Sequence, residues 1–347
     1  MSDHLILLAP SGNRVYAGLA DRLMAAELTI LLGPDAPPVE PVEVAGVPYL
    51  ALDADELGPP ARRALSLLSG RYAVFARADG LLAPVEVDPV DLLGDDLVTI
   101  PKYPGKTNEQ FTRLLLNVTL ASRPETAPGL VSVLDPLCGR GTTLSTAMTL
   151  GHDAAGVEGD LKAVEAYAAF LRTYLRRHRL KHRVEVNPVR REGRSLGRRL
   201  EVELTPPNGG PALHGTVFSG DTRQSAALFG RRRFDAVVTD APYGVVHGSA
   251  SGTQGSGGVR GTAGKRDRSP AGLLAEALPV WAGQLKSGGV LGLSWNTLGL
   301  TRERLAELAV GAGLTPLEHG PYLQLAHRVD ASISRDVFVA IRSATMP

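Results

Sequence analysis

From residue 130 onward, short apolar runs recur, and a helical pattern follows most of them. The runs are Val131–Asp135, Ala154–Glu158, Gly215–Ser219, Ala236–Asp240 and Val290–Ser294. Near-continuous apolar runs of this length suit strands buried on both faces. Their alternation with helices calls for a parallel sheet joined by right-handed crossovers. No other feature of the chain restricts the fold as much. The first run leads directly into Pro136-Leu137-Cys138-Gly139-Arg140-Gly141-Thr142-Thr143, which reads as a glycine turn and the start of a helix. Gly139 and Gly141 permit a tight turn and a close backbone approach to a ligand. Thr142 and Thr143 fall in the first helical turn, where backbone N–H groups lack internal partners.

In open α/β sheets, ligands bind outside the carboxyl ends of the strands. Three acids fall at that edge: Asp135, Glu158 and Asp221, the last beside Thr222. Glu158 lies about 20 residues after the glycines, the spacing at which a ribose diol is held. Asp135 is placed to accept from an amine and Asp221 from an adenine amino group. The bland reading, that Asp135 and Asp221 only cap helices, leaves their shared edge unexplained.

A second motif, Phe234-Asp235-Ala236-Val237-Val238-Thr239-Asp240-Ala241-Pro242-Tyr243-Gly244, is an apolar strand ending in an acid, a proline and an aromatic. An aromatic amine is a poor nucleophile because its lone pair is delocalised into the ring. Two acceptors around the NH₂ orient it, and here they are the Asp240 side chain and the Ala241 carbonyl. Pro242 stiffens the turn. Tyr243 offers a face for a planar base, a stack worth about 1–3 kcal/mol.

In this order the two motifs resemble motif I and motif IV of S-adenosylmethionine-dependent amino-methyltransferases. Lys106-Thr107-Asn108-Glu109-Gln110-Phe111 is similar to the motif X segment that covers the methionine end of the cofactor. By this resemblance the catalytic set is Asp240, Ala241, Pro242 and Tyr243. The set for S-adenosyl-L-methionine is Phe111, Asp135, Pro136, Cys138, Gly139, Gly141, Thr142, Thr143, Glu158, Asp221 and Thr222. By periodicity alone Phe111 belongs to the apolar face of a helix over Glu109–Ala121, with Leu114, Leu115 and Val118. The family's usual tetrapeptide is Asp-Pro-Pro-Tyr, and Ala241 departs from it: a carbonyl acceptor survives, the rigidity of two prolines does not. Asn13-Arg14-Val15-Tyr16 and the Lys102–Phe111 segment narrow the resemblance to the tRNA guanosine-N2 methyltransferase-like group, over residues 99–342. It implies a class I Rossmann-like α/β fold, a mostly parallel seven-stranded sheet with an antiparallel last strand. A small N-terminal α+β domain would occupy residues 1–95, where that group carries an RNA-binding module, and the methyltransferase domain residues 96–347. Within the first domain, a helix is expected over Val15–Leu28 and strands over Val47–Leu52 and Tyr72–Ala76. Tyr322–His327 and Asp336–Ile341 read as a closing antiparallel pair.

The net charge is only +1, so the whole chain does not announce a polyanionic partner. Local charge says more. A basic insertion around residues 172–212 carries Arg172, Arg176, Arg177, Arg179, Lys181, Arg183, Arg190, Arg191, Arg194, Arg198 and Arg199. Such a run attracts phosphates, and it also complements a helix C-terminus. Arg176, Arg177 and Lys181 are the expected contacts to nucleic acid, tRNA being favoured. Lys265 and Arg266 follow a Gly/Ser-rich stretch placed to close over a substrate. Trp295 and Asn296 end the fifth strand at the carboxyl edge, where either lines the acceptor pocket; Trp295 equally suits the core. Arg231, Arg232 and Arg233 read as solvated.

The single cysteine, Cys138, excludes an internal disulfide and suits a reducing compartment. No apolar run is long enough for a membrane span, no secretory leader is evident, and no Cys/His set has metal-ligand spacing. A cytoplasmic enzyme without a metal is the expectation. DNA, protein side chains and small amines remain alternative acceptors, and a cofactor-binding module without catalysis is the non-enzymatic alternative.

Overall fold

The computed structural model describes residues 3–10, 18–103, 105–124, 130–191, 194–242 and 270–343. Two sheets organise them. The first is antiparallel, in the order β2-β3-β1-β4-β5: β1 (Asp3–Leu8), β2 (Val39–Val44), β3 (Val47–Leu52), β4 (Arg71–Ala78) and β5 (Leu81–Val85). Its two hairpins turn on Ala45-Gly46 and Asp79-Gly80, where both residues have positive φ. That backbone matches the twist of a two-residue hairpin, and Asp-Gly suits it better than Ala-Gly. Helices α1 (Ala20–Leu32) and α2 (Pro59–Leu67) complete this unit. Helix α1 starts and ends later than the Val15–Leu28 expected, and residues 11–17 lie outside the described set.

A short helix, α3 (Asp96–Thr99), precedes α4 (Glu109–Ala121). Helix α4 has the bounds its periodicity predicts. Its start is set by Asn108, whose side chain accepts from the Phe111 N–H at 3.0 Å. Its far side meets the first unit, where Asn117 donates to the Glu27 carboxyl of α1 at 2.8 Å.

The second sheet contains β6 (Ser132–Asp135), β7 (Asp153–Glu158), β10 (Leu213–Ser219), β11 (Phe234–Asp240) and β12 (Leu285–Asn296), mutually parallel where they pair. β15 (Ser334–Arg342) lies antiparallel between β12 and β13 (Leu314–Pro316). The order β13-β15-β12-β11-β6-β7-β10 is the seven-stranded sheet expected. The chain order reverses between β6 and β11, which opens a crevice at their carboxyl ends. Alternate strand residues serve opposite faces, Val133 and Val238 one core, Leu134 and Val237 the other. Helices α4, α5 (Thr142–Thr149) and α6 (Leu161–Arg177) cover the first face; α8 (Pro270–Gln284) and α9 (Arg302–Gly311) cover the second, after the short α7 (Ser225–Phe229). The α4 packing is close: a Cβ on Gly292 would lie 1.7 Å from Thr119 Oγ1.

Two further features differ from expectation. The basic insertion is a β-hairpin, β8 (His182–Arg191) and β9 (Arg194–Leu204), which extends the sheet beyond β10. Val184 and Val186 opposite Val202 and Leu200 give it an apolar side, which packs against the core. The expected closing pair is also shorter. Residues Gly320–Leu323 form a 3₁₀ turn, and only β14 (His327–Arg328) pairs with β15.

Candidate active site

The carboxyl edge is built first from the β6–α5 turn. Gly139 and Gly141 have φ of 51° and 78°, a conformation that glycine adopts without penalty. Gly141 carries a second constraint: a Cβ there would lie 2.4 Å from the Tyr167 ring of α6. Tyr167 is buried, and its hydroxyl lies 3.2 Å from Ser145 Oγ, so the turn rests on a fixed aromatic floor. Burial raises that phenol well above its ordinary pKa. Above the turn, the Tyr103 hydroxyl is 2.8 Å from Thr142 Oγ1, and the Arg140 guanidinium lies 5.0 Å over the Tyr103 ring.

The acids sit at this edge in distinct settings. Asp135 is buried and accepts from Thr239 Oγ1 at 2.7 Å and the Leu137 N–H at 3.0 Å, both through Oδ1. Burial raises its pKa to about 6, against the pull of these hydrogen bonds and of Thr143, with the negative charge of Asp240 adding to the rise. Glu158 is half-buried and accepts the Gly139 N–H on one oxygen at 2.9 Å and the Asp160 N–H on the other at 2.7 Å. Each oxygen keeps capacity for a hydroxyl donor. Asp221 caps the 3₁₀ turn Thr222–Gln224 and is gripped by Arg223, at 2.6 Å from Nη2, which holds its carboxyl below the usual range. Its structural role as a cap is therefore real. The Thr222 hydroxyl accepts from the indole of buried Trp281 at 3.0 Å. Cys138 and Pro136 are buried, and burial pushes the Cys138 thiol up, as for an inert packing residue.

Asp240 ends β11, next to β6. Thr107 Oγ1 donates to its Oδ2 at 2.6 Å, and Arg335 Nη2 of β15 lies 3.9 Å from the same oxygen. The Arg335 guanidinium stacks 4.4 Å from the centre of the buried Phe111 ring, which also meets the His327 ring at 5.2 Å. Two distant segments, the loop before α4 and β15, thus converge on one carboxylate. Sequence reasoning quoted Thr107 without giving it a role and missed Arg335 and His327. Asn108, which caps α4, points to Thr107; only sheet register, Asn296 opposite Arg335, finds the arginine. Ala241 is buried and its N–H donates to the Ser294 carbonyl at 2.8 Å. That bond continues the β11–β12 ladder by one step, which a proline could not do.

Other expected site residues are placed differently. Trp295 is fully buried, donates to the Leu300 carbonyl at 2.8 Å and packs edge-on against Phe338. Asn296 braces a turn, donating to the Ser332 carbonyl and accepting from the Leu298 and Ser334 N–H groups. Both are committed to packing, which strand-end position alone does not reveal. Arg176 and Arg177 end α6, and Lys181 precedes β8; the Lys181 carbonyl accepts from Thr205, beyond the end of β9. They lie at the amino edge of the sheet, about 20 Å along the strands from the acids at 3.3 Å per residue. Arg232 is half-buried, 5.1 Å over the Phe234 ring, where apolar contact with its guanidinium replaces the solvated setting expected. Tyr243, Lys265 and Arg266 lie outside the described residues. Among the described residues, no group of acids, histidines and cysteine could hold a metal ion, and no helix is long and apolar enough to cross a membrane.

A mostly parallel sheet with an antiparallel strand between β12 and β13, and a crevice bearing acids at successive strand ends, defines a Rossmann-like fold of the methyltransferase type. No protein-family model matches the chain, and no curated protein does. Solved structures do resemble it. TrmN from Thermus thermophilus is 15% identical, over 99% of this chain and 100% of that one, with a TM-score of 0.45. The rRNA methyltransferase aviRa from Streptomyces viridochromogenes is 18% identical, over 75% and 94%, with a TM-score of 0.42. The T. thermophilus 16S rRNA N2 G1207 methyltransferase RsmC, solved with AdoMet and guanosine, is 20% identical, over 90% of this chain and 59% of that one, with a TM-score of 0.35. At these values strand order, rather than the overlay, carries the fold class.

Proposed function

We propose that the protein is an S-adenosylmethionine-dependent N-methyltransferase acting on an exocyclic amino group of a nucleobase, guanosine N2 in tRNA. The observation that carries the reading is the Asp240 carboxylate at the carboxyl end of β11, fixed through one oxygen by Thr107 and flanked by Arg335. It stands beside the β6–α5 turn, whose features suit a nucleoside cofactor: a bend at two glycines of positive φ, and Glu158 oriented by two N–H groups. Asp135 and Glu158 would hold the amine and ribose ends, and Asp221 with Thr222 the adenine end. The cofactor supplies, when bound, an electrophilic methyl group on a sulfonium.

The chain's own task is to position the acceptor. Asp240 and the Ala241 carbonyl accept from the NH₂ of the base and turn its nitrogen toward the methyl group. Asp240 then receives the proton that the nitrogen loses. Thr107 keeps the carboxylate from rotating away, and Arg335 offsets the charge of Asp240. Titration of Asp240→Ala against labelled S-adenosylmethionine and total tRNA, with genomic DNA and protein extract in parallel, tests the reading. Digestion and mass spectrometry should reveal N2-methylguanosine with the wild type and none with the variant, which keeps its cofactor affinity. Label only in DNA or protein would overturn the substrate; full activity of Asp240→Ala would overturn the site.

A further inference from the structure

The basic run of the sequence is divided by the fold into two clusters at opposite edges of the sheet. Arg176, Arg177 and Lys181 lie at the amino edge, whereas the β8–β9 tip lies at the carboxyl edge, with Asp135, Glu158, Asp221 and Asp240. Pairing registers place it there: β9 leaves β10 at Arg199 opposite Phe218, while the β8–β9 ladder continues to Arg191 opposite Arg194. At 3.3 Å per residue the hairpin runs about 15 Å beyond the edge of its neighbour. Its base is pinned. The Arg198 N–H donates to Ser219 Oγ at 2.7 Å, and a Cβ on Gly197 would lie 2.4 Å from the Ser219 carbonyl. Arg198 Nη1 also reaches Glu165, in the first turns of α6, at 3.4 Å.

Charge is divided in the same way. On the polar side of the hairpin body, Arg183 pairs with Glu185 and Arg199 with Glu201, each at 2.8 Å, and Glu203 adds a further acid. The body therefore neutralises itself. The tip carries Arg190, Arg191 and Arg194 in sequence against Glu192 alone, and the Arg190 side chain is exposed. Between Asp240 and β9 stand four inter-strand steps, about 20 Å at the usual spacing. That span is too long for contact with the target base and suits flanking backbone.

We infer that the projecting β8–β9 tip is a docking point for the RNA sugar–phosphate backbone, gripping nucleotides that flank the base presented to Asp240, and that the amino-edge cluster is not. The inference rests on the RNA-methyltransferase reading above. Arginine suits the role because its planar donor fork matches phosphate oxygens, and pairing with β10 ties the base of the hairpin to the sheet.

The test is binding of fluorescently labelled bulk tRNA, followed by anisotropy over a range of salt concentrations. Four proteins are compared: the wild type, the combined Arg190→Gln, Arg191→Gln and Arg194→Gln variant, the same three changed to Lys, and the combined Arg176→Gln, Arg177→Gln and Lys181→Gln variant. Each phosphate contact removed lowers the slope of log affinity against log salt by about 1. The tip glutamine variant should lose about 2–3 of slope, the lysine variant should retain most of it, and the amino-edge variant should keep the wild-type slope. A tip variant with an unchanged slope, or an amino-edge variant with an equal fall, overturns the inference while leaving RNA methylation in place. A wild type without salt-dependent tRNA binding overturns both.

Discussion

Glu27 lies in the middle of α1, wholly buried, at the junction of the two sheets' helices. Its Oε1 accepts from the Ser69 N–H at 3.1 Å and Asn117 Nδ2 at 2.8 Å, and Ser69 Oγ donates to Oε2 at 2.5 Å. These bonds and the charge of Arg113 favour the ionised form, but burial outweighs them and raises the pKa from 4.5 to about 7. An acid whose folded pKa is raised binds its proton more tightly in the native state. It contributes most to stability below pH 4.5, and the contribution is lost as pH rises through about 7. At 1.36 kcal/mol per unit, the loss comes to about 3 kcal/mol, most of it between pH 5 and 7. Glu27→Gln removes the titration while keeping the geometry. Its amide oxygen takes the place of Oε1, and its NH₂ donates to Ser69 Oγ, which then accepts. Urea unfolding of both proteins from pH 5 to pH 8 isolates the effect in their difference. The variant should gain about 2–3 kcal/mol on the wild type across that range. Parallel pH profiles would refute the assignment of a raised pKa to this carboxyl.

Thr107→Val keeps the shape of the side chain and deletes the donor to Asp240. Hydrogen bonds to charged groups contribute about 1.5–3 kcal/mol, so single-turnover methyl transfer should slow roughly ten- to a hundredfold, with cofactor affinity by calorimetry unchanged; an unaltered rate would remove Thr107 from the site. Ala241→Pro places a second proline beside Pro242 and deletes the N–H bonded to Ser294. Urea unfolding should show a loss of about 1–3 kcal/mol, and a variant as stable as the wild type would show that the extra ladder bond is unimportant. Gly292→Ala forces a methyl group into Thr119 and should cost about 1–3 kcal/mol by the same measurement, partly recovered when Thr119→Ala is added. Recovery that fails to appear would mean that the strand, rather than α4, gives way.

What could be read in the sequence was what neighbouring residues decide together. Helix α4 was legible because Asn108 caps it and Phe111, Leu114, Leu115 and Val118 share one face. The strands of the larger sheet were legible because both faces are buried, which leaves continuous apolar runs. The hairpin was not. Its alternation at Val184 and Val186, and at Leu200, Val202 and Leu204, is broken by Pro188 and Gly197 and hidden among arginines. A charge run carries no sign of which end of a strand it will occupy, so the two basic clusters could not be separated. At the site, the acids at strand ends were legible by position. The partners of Asp240 were not, because Thr107 and Arg335 are brought to it by packing and register across more than ninety residues. Between pocket and core the sequence could not decide for Trp295, nor foresee that Asn296 braces a turn, for a related reason: a strand-end position says which edge a residue shares, and packing decides which way its side chain turns.

β15 has a consequence for how the protein is made. It is the latest strand of the larger sheet to leave the ribosome, yet it lies inside that sheet and brings Arg335 to the crevice. Until residues 334–342 have been translated, β12 presents an unpaired edge bearing Val290, Leu291 and Leu293, all of them fully buried afterwards. Such an edge is a template for pairing with other chains. The growing polypeptide therefore passes through an aggregation-prone stage, when the strand ends bearing Asp135, Glu158 and Asp240 are already present and Asp240 still lacks Arg335. A chain cut short before β15 would therefore be a burden on chaperones.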